Sequence, residues 1–173
     1  GEPDGTLSIL DAGCGTGGTT TWLRRYGSVV GVDFSELALG RARARCQVSG
    51  TKDRKLLALA QGAVQQLPFA DGSFDLVTSF DVLYHRAVGS DSKALLELAR
   101  VLRPHGRLLI RLPAFDWLRG AHDVAVHTER RYTAGLLRRK LAEAGFDVQR
   151  LTYANTMLFP IAVAKRLAEG SEP

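Results

Sequence analysis

The 173-residue chain predicts an α/β domain: a doubly wound, mostly parallel sheet with helices on both faces. Three observations predict it. Apolar, β-branched runs alternate with stretches of helical spacing along most of the chain. The first run, Leu7 to Leu10, passes through Asp11 and Ala12 into Gly13-Cys14-Gly15-Thr16-Gly17-Gly18, and a helical stretch follows. The second run, Ser28 to Asp33, ends on an acid about 20 residues beyond Gly13.

A strand, a glycine-rich turn and a helix together make a site for a nucleotide-like ligand. Gly13, Gly15 and Gly17 remove side chains where such a ligand meets the backbone. The carboxylate of Asp11 lies just before the turn, where it repels a pyrophosphate and suits a ligand carrying a cationic amine. Gly13, Gly15 and Gly18 also satisfy the dinucleotide pattern G-x-G-x-x-G, so that alternative stays open at this point. Asp33 can accept hydrogen bonds from two ribose hydroxyls at once, and Phe34 then lies against the adenine ring.

The elements follow in order. Thr19 to Tyr26 reads as the first helix and Ser28 to Asp33 as the second strand. Ser35 caps a helix from Glu36 to Val48, stopped by Ser49-Gly50, with Arg41, Arg43 and Arg45 facing outward. Lys55 to Ala60 is the third strand, and the segment Gln61 to Phe69 follows. Asp71-Gly72-Ser73 is a turn into the fourth strand, Phe74 to Phe80, which continues through Asp81 to His85. Leu95, Leu98, Ala99 and Leu102 give helical spacing over Ser92 to Leu102, ended by Arg103-Pro104-His105-Gly106. Arg107 to Leu112 is the fifth strand. Ala114 to Tyr132 has no steady period. Its aromatics, histidines and arginines after a strand end suggest a substrate-facing lid, with an ordered surface loop as the alternative. Thr133 caps a helix to Ala144, closed by Gly145. Phe146 to Tyr153 reads as a sixth strand, and Ala154 to Leu167 as a helix or packing segment interrupted by Pro160. Right-handed crossovers bring Gly13 to Gly17, Asp33, Ala63 and Phe80 to one edge of the sheet.

Composition sets outer bounds. A hydrophobic content of 45% and this length fit one domain over residues 1–173. No apolar run approaches the ~20 residues of a membrane span. The start, Gly1-Glu2-Pro3-Asp4-Gly5, is neither a signal nor a transit peptide, and without Met it reads as trimmed. Two cysteines, Cys14 and Cys46, imply a reduced cytoplasmic protein. No His/Cys cluster has metal-ligand spacing, so no metal is expected. The net charge of +5 is scattered, which reads first as solvated helix faces and second as an anionic substrate or nucleic acid.

The block Asp11-x-Gly13-x-Gly15-x-Gly17, Asp33, and Leu67-Pro68-Phe69 followed by Phe74-Asp75 resemble the class I S-adenosylmethionine-dependent methyltransferases, which have a Rossmann-like fold. The likeness runs from Leu7 to Tyr153. The later stretch, His122, Arg130-Arg131-Tyr132-Thr133, Gly145-Phe146, Asn155 and Phe159-Pro160, resembles a bacterial small-molecule, type-11-like subgroup. The resemblance implies S-adenosylmethionine as cofactor, bound by Asp11, Gly13, Cys14, Gly15, Gly17, Asp33, Phe34, Ala63, Val64 and Phe80. Ala63 stands where the family carries an acid, so the adenine amine falls to backbone groups of Ala63 and Val64. His105 replaces a family glycine. Asp81, Tyr84, His122, His127 and Arg131 are the implied substrate contacts. His85 is the candidate base, with His122, His127, Asp81, or no base at all, as alternatives.

The reaction implied is in-line methyl transfer to a small-molecule acceptor, anionic on the strength of the lid arginines. The pattern Asn/Asp-Pro-Pro-Tyr/Phe of nucleic-acid-base amine methylation is missing after the fourth strand, so nucleic acid is not the expected partner. The sheet is expected to lack the last of the usual seven strands, and an N-terminal helical cover is missing, so the chain reads as a fragment. The competing readings are a non-catalytic S-adenosylmethionine-binding module and a nicotinamide oxidoreductase. The second would need a hydride-transfer site such as Tyr-x-x-x-Lys, which the chain lacks.

Overall fold

Five apolar runs pair into one parallel sheet of strand order β3-β2-β1-β4-β5. The computed structural model describes residues 7–48, 57–118, 127–154, 159–160 and 163–164. The strands are β1 (Leu7–Ala12), β2 (Gly27–Asp33), β3 (Leu57–Gln61), β4 (Phe74–Phe80) and β5 (Leu102–Arg111). The helices are α1 (Gly18–Leu23), α2 (Glu36–Val48), α3 (Asp91–Val101) and α4 (Ala134–Glu143). The chain winds outward from β1 through β2 to β3, then returns past β1 to β4 and β5. The order reverses between β1 and β4, the switch point of such sheets, at whose strand carboxyl ends ligands bind.

The inner strands β1 and β2 are covered on both faces and read as near-continuous apolar runs, while β5 alternates exposed and half-buried positions. On one face Leu10, Ala12, Val32 and Val77 meet Ala94, Leu95, Leu98 and Val101 of α3 and Leu137 and Leu141 of α4. On the other, a smaller cluster joins Ile9 and Val29 to Leu23 of α1, with Leu76 against it. Ser90 and Thr133 cap α3 and α4, accepting from the backbone N–H of Lys93 and Leu136. Gly145 takes φ 88° and ends α4.

Two expectations are corrected. Phe146 to Tyr153 is not a strand. Phe146, Val148 and Leu151 pack against the main core in irregular backbone. A strand exists only with a ladder partner, and among the described residues no strand pairs beyond β5. The second correction concerns Arg103 to Gly106, which does not separate α3 from the fifth strand. Leu102 already pairs with Phe74, and the register then jumps so that Arg107 pairs with Leu76. The turn residues are thus a bulge inside β5, with His105 in the left-handed region at φ 66°. The start of the third strand falls among residues 49–56, outside the described residues. Of the stretch after Tyr153, residues 159–160 and 163–164 are helical. Among the described residues no helix is long and apolar enough to cross a membrane.

Candidate functional site

The glycine turn is folded back on β2. The N–H groups of Gly13 and Cys14 both donate to the Val32 carbonyl, at 2.7 and 2.9 Å. Gly13 has φ 83°, and a Cβ there would lie 2.2 Å from Val82 Cγ2. Its glycine is required by the approach of the loop after β4. Gly15, at φ 52°, has no atom within 4 Å of where a Cβ would sit, so its outer side is open space. Gly17, also left-handed, caps α1. Cys14 is buried beneath the turn, and burial, reinforced by the charges of Asp11 and Asp33, pushes its thiol up to about 12.

Asp33 ties three segments into one corner. Its Oδ2 accepts from Gly15 N–H at 2.8 Å, its Oδ1 from Ser35 N–H at 2.9 Å, and its carbonyl from Gly62 N–H at 3.0 Å. Each carboxylate oxygen keeps a second lone pair. Asp11 differs from expectation. It is 2% exposed, and its two oxygens accept from Thr20 Oγ1 at 2.7 Å and Thr78 Oγ1 at 2.9 Å. Burial raises its carboxyl above the usual range, against the pull of the two threonines. It joins β1 to α1 and β4 from inside the sheet, and a free carboxylate is not presented at the surface.

Ala63 and Gln66 close a turn, with Gln66 N–H donating to Ala63 C=O at 3.0 Å. Ala63 is exposed, while Val64 is buried in the main core and leaves only its backbone to the opening. The following residues are held by α3, a connection the sequence reading missed. Leu67 N–H donates to Glu97 Oε2 at 2.8 Å, and Arg100 donates to the carbonyls of Leu67 and Phe69 at 3.1 and 2.8 Å. The available signal was Glu97-x-x-Arg100 on one helix face. Arg100 holds the Glu97 carboxyl below its usual range.

Phe34, 57% exposed, begins a row of rings: its centroid is 6.0 Å from that of His85, which is 5.7 Å from that of His127. The loop after β4 and the segment before α4 are zipped together here. Arg86 N–H donates to His127 C=O at 3.0 Å and Glu129 N–H to Tyr84 C=O at 2.8 Å. His85, the expected candidate base, caps a turn. Its Nδ1 accepts the Ala87 N–H at 3.1 Å, capping the short turn Arg86–Val88. Burial, then the neighbouring His127, lowers its pKa, so the neutral ring carries its proton on Nε2. It offers a donor, and its one lone pair is already engaged.

Tyr84 packs against the main core, its carbonyl holding Glu129. Arg131, expected as a substrate contact, donates from its guanidinium to the Ala114 carbonyl at 2.8 Å and pins the returning segment to the end of β5. Arg130 donates to the Gly89 carbonyl at 3.0 Å. His122 lies outside the described residues. The cation missed in the sequence is Arg111, at the carboxyl end of β5 and opposite Phe80. Its guanidinium lies 5.4 Å from the Phe80 ring centroid and pairs with Asp81. Asp81 is held at φ 60°, one of four described non-glycine residues in the left-handed region.

A parallel sheet of this order, with a glycine turn and a strand-end acid meeting at its switch point, defines an α/β domain for a nucleotide-like ligand. Residues 10–110 match the family model described as Methyltransferase domain. The chain belongs to this family and to the class I S-adenosylmethionine-dependent methyltransferases. It is 39% identical over 104 residues to Methyltransferase GfsG of Streptomyces halstedii, covering 59% of this chain and 36% of that protein. It is 41% identical over 105 residues to a demethylmenaquinone methyltransferase of Symbiobacterium thermophilum, covering 58% and 40%. A solved S-adenosylmethionine dependent methyltransferase from Mesorhizobium loti shares the fold, with a TM-score of 0.68 and 23% identity over 99% of this chain and 89% of that one. The chain spans less than half the length of the two curated relatives.

Proposed function

We propose that residues 1–173 act as one domain that transfers a methyl group from S-adenosylmethionine to a small-molecule acceptor in the cytoplasm. The observation that carries this is the Asp33 corner. It brings the open turn at Gly15, a carboxylate with spare lone pairs and the exposed Phe34 ring together. These residues fit the cofactor: Asp33 takes the ribose hydroxyls, the backbone at Gly13 to Gly17 receives the chain of the molecule, and Phe34 with Ala63 and Val64 flanks the adenine. Phe80 borders the same opening. S-adenosylmethionine, when bound, supplies a methyl group already activated by a cationic sulfur. The protein then has to align the acceptor and exclude water, which is worth more here than proton transfer.

His85 serves as an Nε2–H donor in the wall. The acceptor is anionic. The support for that is the set of cations beyond the strand ends, to which Arg111, beside Phe80 and paired with Asp81, is added. Nucleic acid is not the partner in this reading.

Calorimetric titration of wild type and Asp33→Ala with S-adenosylmethionine, S-adenosylhomocysteine and NADH tests the cofactor. Binding of the first two, lost in the variant, is expected. Binding of NADH alone overturns the reading. Label transfer from methyl-tritiated cofactor to a panel of carboxylic acids and their amides tests the acceptor, with the acids expected to be labelled. Cofactor binding with no labelling of any compound would favour a non-catalytic module.

A further inference from the structure

We propose that Glu97 and Arg100 of α3 are positioning residues for the adenine end of the cofactor, setting from behind the backbone that grips the ring. The inference rests on the assignment of Ala63 and Val64 to the adenine.

The stretch from Gly62 to Ser73 belongs to no strand or helix, so its backbone groups need partners elsewhere. Pro68 has no N–H, and it restricts Leu67 to extended geometry. One end is fixed at the site, where Gly62 N–H donates to the Asp33 carbonyl at 3.0 Å. The other end is held chiefly by the last turns of α3, with Ser8 of β1 donating to the Ser73 carbonyl at 3.2 Å. Glu97 Oε2 accepts from Leu67 N–H at 2.8 Å. The Arg100 guanidinium reaches the Leu67 carbonyl at 3.1 Å, the Phe69 carbonyl at 2.8 Å and Asp71 Oδ1 at 2.7 Å. Glu97 aligns it through two contacts of 2.8 Å. The Arg100 and Val101 carbonyls take the N–H groups of Gly72 and Ser73 at 3.0 and 2.8 Å.

The segment is therefore strung between Asp33 and α3, with Ala63 at the opening. Ala63 has no side-chain acceptor for the adenine amine. Recognition falls to peptide groups, and peptide groups recognise only where they are held. A planar fork can meet these acceptors together, and a lysine ammonium on its flexible stem cannot hold the same geometry.

The test is titration of Ala63→Trp, Arg100→Lys and Glu97→Gln with S-adenosylhomocysteine and with its inosine analogue, in which a carbonyl replaces the adenine amine. Each titration is run well below the variant's melting temperature. Arg100→Lys and Glu97→Gln are expected to weaken S-adenosylhomocysteine by about tenfold, and to bring its preference over the inosine analogue down toward one. A purely structural role lowers the melting temperature and leaves that preference unchanged. The proposal is overturned if folded Arg100→Lys and Glu97→Gln bind S-adenosylhomocysteine within about twofold of wild type, or if both ligands weaken in proportion. Ala63→Trp separates the two ideas. If it leaves binding intact, the adenine assignment falls and this proposal with it. If it abolishes binding while the α3 variants bind normally, only the positioning role falls.

Discussion

At the scale of single residues, a side chain's chemistry here is decided by the partner that has already claimed its polar atoms. Asp11 was expected to meet a cationic amine, but Thr20 and Thr78 occupy both of its oxygens. Asp33 engages both of its oxygens too, yet with the backbone N–H groups of Gly15 and Ser35, and each oxygen keeps a second lone pair. His85 shows the rule most sharply. A histidine after a strand end reads as a base until its Nδ1 is found capping Ala87. The neutral ring then has its proton on Nε2, and protonation of Nδ1 would break the cap. Both burial and His127 act in the same direction, below the ordinary value of 6.5. A long-range proton–nitrogen correlation spectrum of histidine-labelled protein should show the Nε2–H tautomer at neutral pH and a midpoint under 6.5. An Nδ1–H tautomer would restore His85 as a base.

Elements are locked to one another by a second buried acid, Asp91, in the first turn of α3. Its Oδ2 accepts from Tyr132 OH at 3.0 Å, its Oδ1 from Lys140 Nζ at 3.0 Å, and Arg130 stands at 3.6 Å. The same hydroxyl lies 3.3 Å from the Leu83 carbonyl and shares its one proton with it, so the loop after β4, the segment entering α4, and helices α3 and α4 meet around one carboxylate. Burial alone would push the Asp91 carboxyl up. The Lys140 and Tyr132 hydrogen bonds and the charges of Lys140 and Arg130 outweigh it and hold it below the ordinary value of 3.8. A depressed folded-state value means stability that is present above the unfolded value and lost as pH falls through the folded one. Asp91→Asn should therefore cost about 3 kcal/mol near neutral pH, because it leaves Lys140 and Arg130 without their counter-ion. Denaturant titrations of the two proteins should converge as pH is lowered below 3.8. A gap that persists at low pH would mean that the loss comes from packing and not from charge.

The whole molecule divides into what local pattern encodes and what only the assembled sheet creates. The glycine block, Asp33, five strands and the caps at Ser35 and Thr133 were legible because each rests on residues adjacent in sequence or one helical turn apart. Arg111 with Asp81, Glu97 and Arg100 with Leu67, and Asp91 with Tyr132 and Lys140 were not legible. Each partner choice depends on strand register or helix docking across some 30 to 50 positions. The arginines at 130 and 131 looked like a solvated, anion-seeking pair and are taken up by carbonyls that arrive from Gly89 and Ala114. A sixth strand looked sound by composition and failed for want of a neighbour to pair with. The assembly of the candidate site belongs to this second category, since its three walls come from the ends of β1, β2 and β3 and meet at Val32, Asp33 and Phe34. A ligand that bridges all three must couple their openings. Bound S-adenosylhomocysteine at about 100 times its Kd should add about 2.7 kcal/mol to unfolding. Amide exchange should report where that stabilisation is felt: slowing beyond the global amount at residues 13–17, 33–36 and 62–71, and no local slowing in α4. Protection spread evenly over the chain, or centred on α4, would place the ligand elsewhere and remove the ends of β1, β2 and β3 as its site.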